Sequence, residues 1–212
     1  MGLLDQVRCP TGPQGRIAAS MMNWGHGALT TWGLTFATIQ PNFTILDLGC
    51  GGGKTINRLA PQVPQGKVFG LDHSADMVAY AKEVNRKFVE DKRVEIIEAK
   101  VEKTGFANDF FDLVTAVETY YFWPSLPEAF REIWRVLKPK GKLLIINEMV
   151  KDGVYEVKKA DLIRKAHVQL FELDEMCMML QSAGFVDVEV FKKENSAWNA
   201  LVAQKPPTKG VL

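Results

Sequence analysis

Along this chain, short runs that are apolar at most positions alternate with longer stretches whose apolar residues return every three or four positions. The runs 43–48 (FTILDL), 67–71 (KVFGL), 93–98 (RVEIIE), 112–117 (DLVTAV) and 142–147 (KLLIIN) read as five strands covered on both faces. Ile56, Leu59 and Ala60 mark a helix after the first run. Ser74 and Asp76 open a second helix, with Met77, Ala81, Val84 and Phe88 along one face. A third helix over 126–137 carries Leu126, Phe130, Ile133, Trp134 and Leu137. Lys138-Pro139-Lys140-Gly141 stops it, because proline cannot continue a helix and glycine accepts the reversed turn.

Alternating strand and helix predict a doubly wound α/β sheet with helices on both faces. The end of the chain departs from that rhythm. A helix over 174–183 ends at Gly184, and the runs 185–192 and 197–204 are joined only by the short polar link 193–196. So short a link forces antiparallel pairing, since parallel strands need a crossover of about a dozen residues or more. The expectation is one domain over 1–212 with a seven-stranded sheet, mostly parallel and closed by an antiparallel pair. Residues 1–40 are expected as a cover ahead of the first strand, and 150–172 as a cap between strand five and the last helix.

Composition narrows the partners. A formal charge of +1 gives no electrostatic footprint for nucleic acid or an anionic membrane. No stretch reaches the roughly 18 continuous apolar residues of a membrane span, and the N-terminus lacks a signal-peptide core. Cys9, Cys50 and Cys177 have no metal spacing and suit a reducing cytoplasm, where the protein is expected.

The chemistry concentrates in 47–55, DLGCGGGKT, between a strand and a helix. A phosphate-binding P-loop needs G-x-x-x-x-G-K-[ST], and its first glycine falls on Leu48. A dinucleotide fingerprint needs G-x-G-x-x-G, and its third glycine falls on Lys54. Asp47-x-Gly49-x-Gly51-x-Gly53 resembles motif I (D/E-x-G-x-G-x-G) of the class I S-adenosylmethionine-dependent methyltransferases. Leu71-Asp72 at the end of strand two, FANDFFDLV at 106–114, EAFREIWRVLKPKG at 128–141 and the segment 184–192 resemble the family's later motifs in order. The likeness covers roughly 40–204 and is similar in kind to the small-molecule enzymes of quinone biosynthesis.

The resemblance implies a Rossmann-like fold, S-adenosyl-L-methionine as cofactor and a small-molecule methyl acceptor. It implies a cofactor site made by Asp47, Gly49, Cys50, Gly51, Gly53, Asp72, His73, Met77, Val101, Glu102 and Val117. Asp47 would sit near the cofactor's ammonium group, the glycines would let backbone approach its methionyl part, and Asp72 would accept from both ribose hydroxyls. One position departs: the family's usual acid near adenine falls on Lys100, which only donates. Adenine must then be held by the backbone of Val101 and Glu102, by the Glu102 carboxylate, or against Met77.

The acceptor is expected beyond the ends of strands four and five. Glu118 followed by Tyr120, Tyr121, Phe122 and Trp123 suggests a pocket wall, and MMNWGHGALTTWG at 21–33 suggests a mobile glycine-hinged cover. Candidate catalytic residues are His26, Glu118 and Tyr120; candidate acceptor contacts are Trp24, Tyr121 and Trp123. Ordinary packing competes for Phe122 and Trp123, a structural role for His26, and a static helix for the cover. A Mg²⁺-assisted variant would use Glu118 with Asn147-Glu148, but the characteristic Asp-Asn pair is absent and no metal is expected. The rival functions are an NAD(P)-dependent oxidoreductase and a non-catalytic S-adenosylmethionine-binding module.

Overall fold

The computed structural model describes residue 12, residues 25–153, residues 157, 160, 161, 163 and 164, and residues 168–208. Trp24, Cys9 and much of the expected cap at 150–172 lie outside the described residues. The elements are α1 (Gly27–Leu34), β1 (Thr44–Leu48), α2 (Lys54–Leu59), β2 (Lys67–Asp72), α3 (Ala75–Val84), α4 (Arg86–Glu90), β3 (Val94–Glu98), β4 (Phe111–Val117), α5 (Leu126–Val136), β5 (Leu137–Asn147), α6 (Leu173–Ser182), β6 (Val186–Lys192) and β7 (Asn199–Gln204). None of the helices among the described residues is long and apolar enough to cross a membrane.

The seven strands form one sheet in the order β3-β2-β1-β4-β5-β7-β6. β1 to β5 are parallel, and β7 runs antiparallel between β5 and β6. The expected topology therefore holds, including the antiparallel close.

The apolar strands are explained by the alternation of side chains across the sheet. Leu46, Leu48, Leu143, Ile145, Leu201 and Ala203 face α5 and α6, where Phe130, Ile133, Met176 and Leu180 are buried. Ile45, Leu144, Ile146, Ala200 and Val202 face the other layer, with Leu29 of α1, Ile56 and Leu59 of α2, and Ala81 of α3. The strands β1, β2, β4, β5 and β7 are buried at most positions, so a polar residue inside them stands out, whereas the edge strand β6 is largely exposed.

Several motif residues are structural fasteners at the amino ends of the strands. Phe106 and Phe111 meet edge to face at 4.9 Å, and both contact Phe69 of β2. Asp112 accepts from the Thr44 N–H at 2.7 Å and from Lys138 Nζ at 2.8 Å, tying β4 to its neighbours on both sides.

Three expectations on elements are corrected. The helix expected to run past Val84 to Phe88 breaks at Asn85 into α3 and α4. Asn85 is buried, and its side-chain amide donates to Gly53 O and Ala81 O, each at 2.9 Å. The stretch 138–141 is a bulged start of β5 with Lys140 at φ 66°, since Leu137 already pairs with Phe111 before the register shifts. Residues 27–33, expected as part of a hinged cover, are a helix packed on the sheet. A Cβ on Gly33 would lie 2.5 Å from the Ile146 side chain, so that glycine serves close packing.

Candidate active site

The carboxyl ends of the parallel strands converge where β1 and β4 adjoin, the point at which the strand order reverses and ligands bind in open α/β sheets. Asp47 and Thr115 are register partners there, and the Thr115 hydroxyl donates to Asp47 Oδ1 at 2.7 Å. Burial pushes the Asp47 carboxyl up to about 7, against the pull of the Thr115 bond, with the charge of Asp72 adding to the rise.

The glycines of the loop divide their labour. All three of Gly49, Gly51 and Gly53 have positive φ. A Cβ on Gly49 would lie 2.0 Å from Thr119 Oγ1, and one on Gly53 would lie 2.6 Å from Asn85 Nδ2. Those two glycines admit the protein's own side chains, which corrects the expectation that each faces a ligand. Above Gly51 there is nothing within 4 Å, so this is the glycine that opens onto space.

Asp72, 6% exposed, fixes the loop from the next strand. Its two oxygens accept from Gly51 N and Ser74 N, each at 2.9 Å, and His73 Nδ1 lies 3.5 Å away. Cys50 is buried, its N–H donates to Leu71 O, and burial pushes its thiol well above the ordinary value. Such a thiol is inert. After β3, Lys100 is exposed, Val101 is buried, and Glu102 Oε1 is a buried atom without a hydrogen-bond partner. Met77 is 1% exposed under this end of the sheet.

The second half of the site gathers beyond β4 and β5. Glu118 takes φ 53°, a left-handed conformation that costs a non-glycine residue about 1–2 kcal/mol. Its N–H donates to Ile146 O, Oε1 accepts from Glu148 N at 2.6 Å, and Oε2 accepts from the Tyr121 hydroxyl at 2.7 Å. Burial lifts the Glu118 carboxyl to about 7. His26, at the N-terminus of α1, brings Nε2 to 3.8 Å from Glu118 Oε2. Burial holds its imidazole below the ordinary value, and the Glu148 charge opposes that shift.

Of the aromatic run, Tyr121 is the one that meets Glu118. Tyr120, expected as catalytic, is 1% exposed and its hydroxyl donates to Met149 O at 2.7 Å. Trp123 is also buried and packs on Phe130 of α5 at 6.4 Å. Val117 pairs with Ile146 beside the site and joins the core on the α1–α3 face. Thr115, Thr119 and Asn85 were not anticipated, and Ser74 only as the start of a helix. Thr115 alone carried a signal, a polar residue inside an apolar strand.

Whether this site suits S-adenosylmethionine can be judged from these residues. Open space lies over Gly51, Asp72 accepts from the Gly51 N–H, Asp47 lies at the end of the strand that leads into the loop, and Glu102 offers an unpartnered acceptor after β3. The residues fit the cofactor.

A methyltransferase domain family matches residues 46–145. Cycloartenol-C-24-methyltransferase of Arabidopsis thaliana is 35% identical over 101 residues, 48% of this chain and 30% of the relative. A 2-phytyl-1,4-naphtoquinone methyltransferase of Trichormus variabilis is 33% identical over 109 residues, 51% of this chain and 48% of the relative. The chain spans between about a third and a half of the length of these curated relatives. Among solved structures, a Haloferax volcanii methyltransferase in complex with its activator superposes with TM-score 0.76 at 19% identity, over 89% of this chain and 93% of the other. The phosphoethanolamine N-methyltransferase 2 of Haemonchus contortus, solved with S-adenosylhomocysteine, gives TM-score 0.67 at 20% identity, over 93% of this chain and 54% of the other. With motif, strand order and family match falling on one stretch, residues 46–145 belong to the class I S-adenosylmethionine-dependent methyltransferases.

Proposed function

We propose that the chain is an S-adenosylmethionine-dependent methyltransferase acting on a small-molecule nucleophile. The observation that carries the reading is the open space over Gly51, flanked by Asp47 at the end of β1 and Asp72 at the end of β2. The cofactor supplies a sulfonium methyl group as electrophile. Asp47 holds the ammonium end, and Asp72 accepts ribose hydroxyls with the lone pairs its two N–H bonds leave over. Adenine is held by the Glu102 carboxylate in place of the missing acid at Lys100, with Val101 and Met77 beneath it and His73 at the edge. Cys50 and Val117 line the walls.

The acceptor lies against His26, Glu118 and Tyr121. Alignment of nucleophile and methyl group does most of what such a displacement needs. A carboxyl near 7 and a neutral imidazole are both able to take a proton from a protic acceptor at neutral pH. Tyr121 therefore takes the role expected of Tyr120. Trp123 supports the wall from behind.

Relatives carry names that point to sterol, naphthoquinone and phosphoethanolamine acceptors, so acceptor identity varies among them. We place the protein in the cytoplasm, where Cys50 and Cys177 stay free thiols. Neither nucleic acid nor membrane is needed as a partner. The test is transfer of a radiolabelled methyl group from S-adenosylmethionine into a fractionated cell extract. Label in a low-mass product is expected. Label in no fraction, despite tight cofactor binding, would establish the non-catalytic binding module instead.

A further inference from the structure

His26, Glu118 and Glu148 come from the start of α1, the residue after β4 and the residue after β5. Their ligand atoms all lie within 4.8 Å of one another, although the three are far apart in sequence. We propose that these residues bind one first-row divalent transition-metal ion, of the Mn²⁺, Co²⁺ or Zn²⁺ kind, at the mouth of the acceptor site. One imidazole with two carboxylates is a mixed nitrogen–oxygen set that suits such ions, whereas Mg²⁺ and Ca²⁺ favour oxygen throughout.

The surroundings fit a cation. Among the described residues, no lysine or arginine bridges to either carboxylate, so two acids share the site without a fixed positive partner. Glu118 is held by the Tyr121 hydroxyl and the Glu148 N–H, one bond on each oxygen, as outer-shell partners orient metal ligands. Each oxygen keeps a lone pair. The His26 side chain is 30% exposed, so an ion can enter from solvent. Metal–ligand bonds of about 2.1 Å place donors roughly 3–4 Å apart, so these three need draw in by about an ångström. Asn147, which a Mg²⁺ site would have used, instead bonds Asn199 and stays buried.

The proposal goes beyond methyl transfer and does not depend on it; while the ion is bound, His26 and Glu118 serve as its ligands and not as proton acceptors. It is tested on the full chain, stripped with a chelator and titrated calorimetrically with Mn²⁺, Co²⁺, Zn²⁺ and Mg²⁺. One site per chain is expected for at least one transition ion, with Mg²⁺ at least a hundredfold weaker. His26→Ala and Glu148→Gln should each weaken it tenfold or more while unfolding cooperatively. The Co²⁺ visible spectrum of the unaltered chain gives a readout independent of the variants. No saturable site, equal affinity for Mg²⁺, or affinity untouched by both substitutions would overturn the proposal. S-adenosylhomocysteine titrated alongside reports on the methyltransferase reading separately.

Discussion

At Glu118 the carboxyl titrates near 7 in the folded protein, against an ordinary value of 4.5. Because the folded value is raised, the stability this group contributes is complete below pH 4.5 and is lost as pH rises to 7. Glu118→Gln cannot titrate. The unfolding free energy of the chelator-treated wild type minus that of the variant should therefore fall by on the order of 3 kcal/mol across that window and then level off. Urea unfolding at several pH values reads it, and a difference independent of pH would contradict the burial. The glycines give a second residue-scale test. Gly49→Ala and Gly51→Ala both suffer a left-handed backbone, but only the first meets Thr119, at 2.0 Å. Gly49→Ala should be the less stable of the two by about 1–3 kcal/mol, the cost of overpacking. Equal stabilities by chemical denaturation would mean that Thr119 moves aside freely.

Asn85 sits between two elements and links a third. Its amide donates to Gly53 O and Ala81 O, which also accept from the Asn57 and Asn85 N–H groups, so Asn85→Ala should cost about 2 kcal/mol by removing two buried side-chain hydrogen bonds. It should also loosen the glycine loop, seen as faster hydrogen exchange at the α2 N-terminus; unchanged exchange there would separate the clamp from the loop. The break at Asn85 also shows what the sequence could not disclose. The apolar spacing through Val84 and Phe88 fits one helix, and only a contact to Gly53, 32 positions away, makes Asn85 worth burying. The inner strands were legible because both their faces are buried and most of their positions are apolar. The start of β5 was not, because Lys138 and Gly141 read locally as a turn while Asp112 and Phe111 hold them in the sheet. Gly33, read from sequence as a hinge, packs against Ile146, since glycine marks mobility and close packing with the same letter.

For the whole molecule, the strand order carries the account. Placing β1 beside β4 and β4 beside β5 brings the cofactor loop, Asp72 and the Glu118 cluster to one end of the sheet. The proposed cofactor half could be read in 47–55 and at Asp72 because a strand–loop–helix is local in sequence. The acceptor half was named in part, at His26 and Glu118, but their meeting at 3.8 Å follows from α1 crossing to β5, which no local pattern shows. Asp72→Ala removes the acceptor of both the Gly51 and Ser74 N–H groups. It should weaken S-adenosylmethionine binding by about 1.5–3 kcal/mol and lower stability together, the range for bonds to a charged group. The central claim is that the space over Gly51 holds S-adenosylmethionine, and calorimetric titration of the chain and of Gly51→Ala tests it most directly. The account predicts one site per chain for S-adenosylmethionine and S-adenosylhomocysteine, none for NADH, and affinity at least tenfold weaker in Gly51→Ala. Binding of NADH instead, or unchanged affinity in a folded Gly51→Ala, would contradict it.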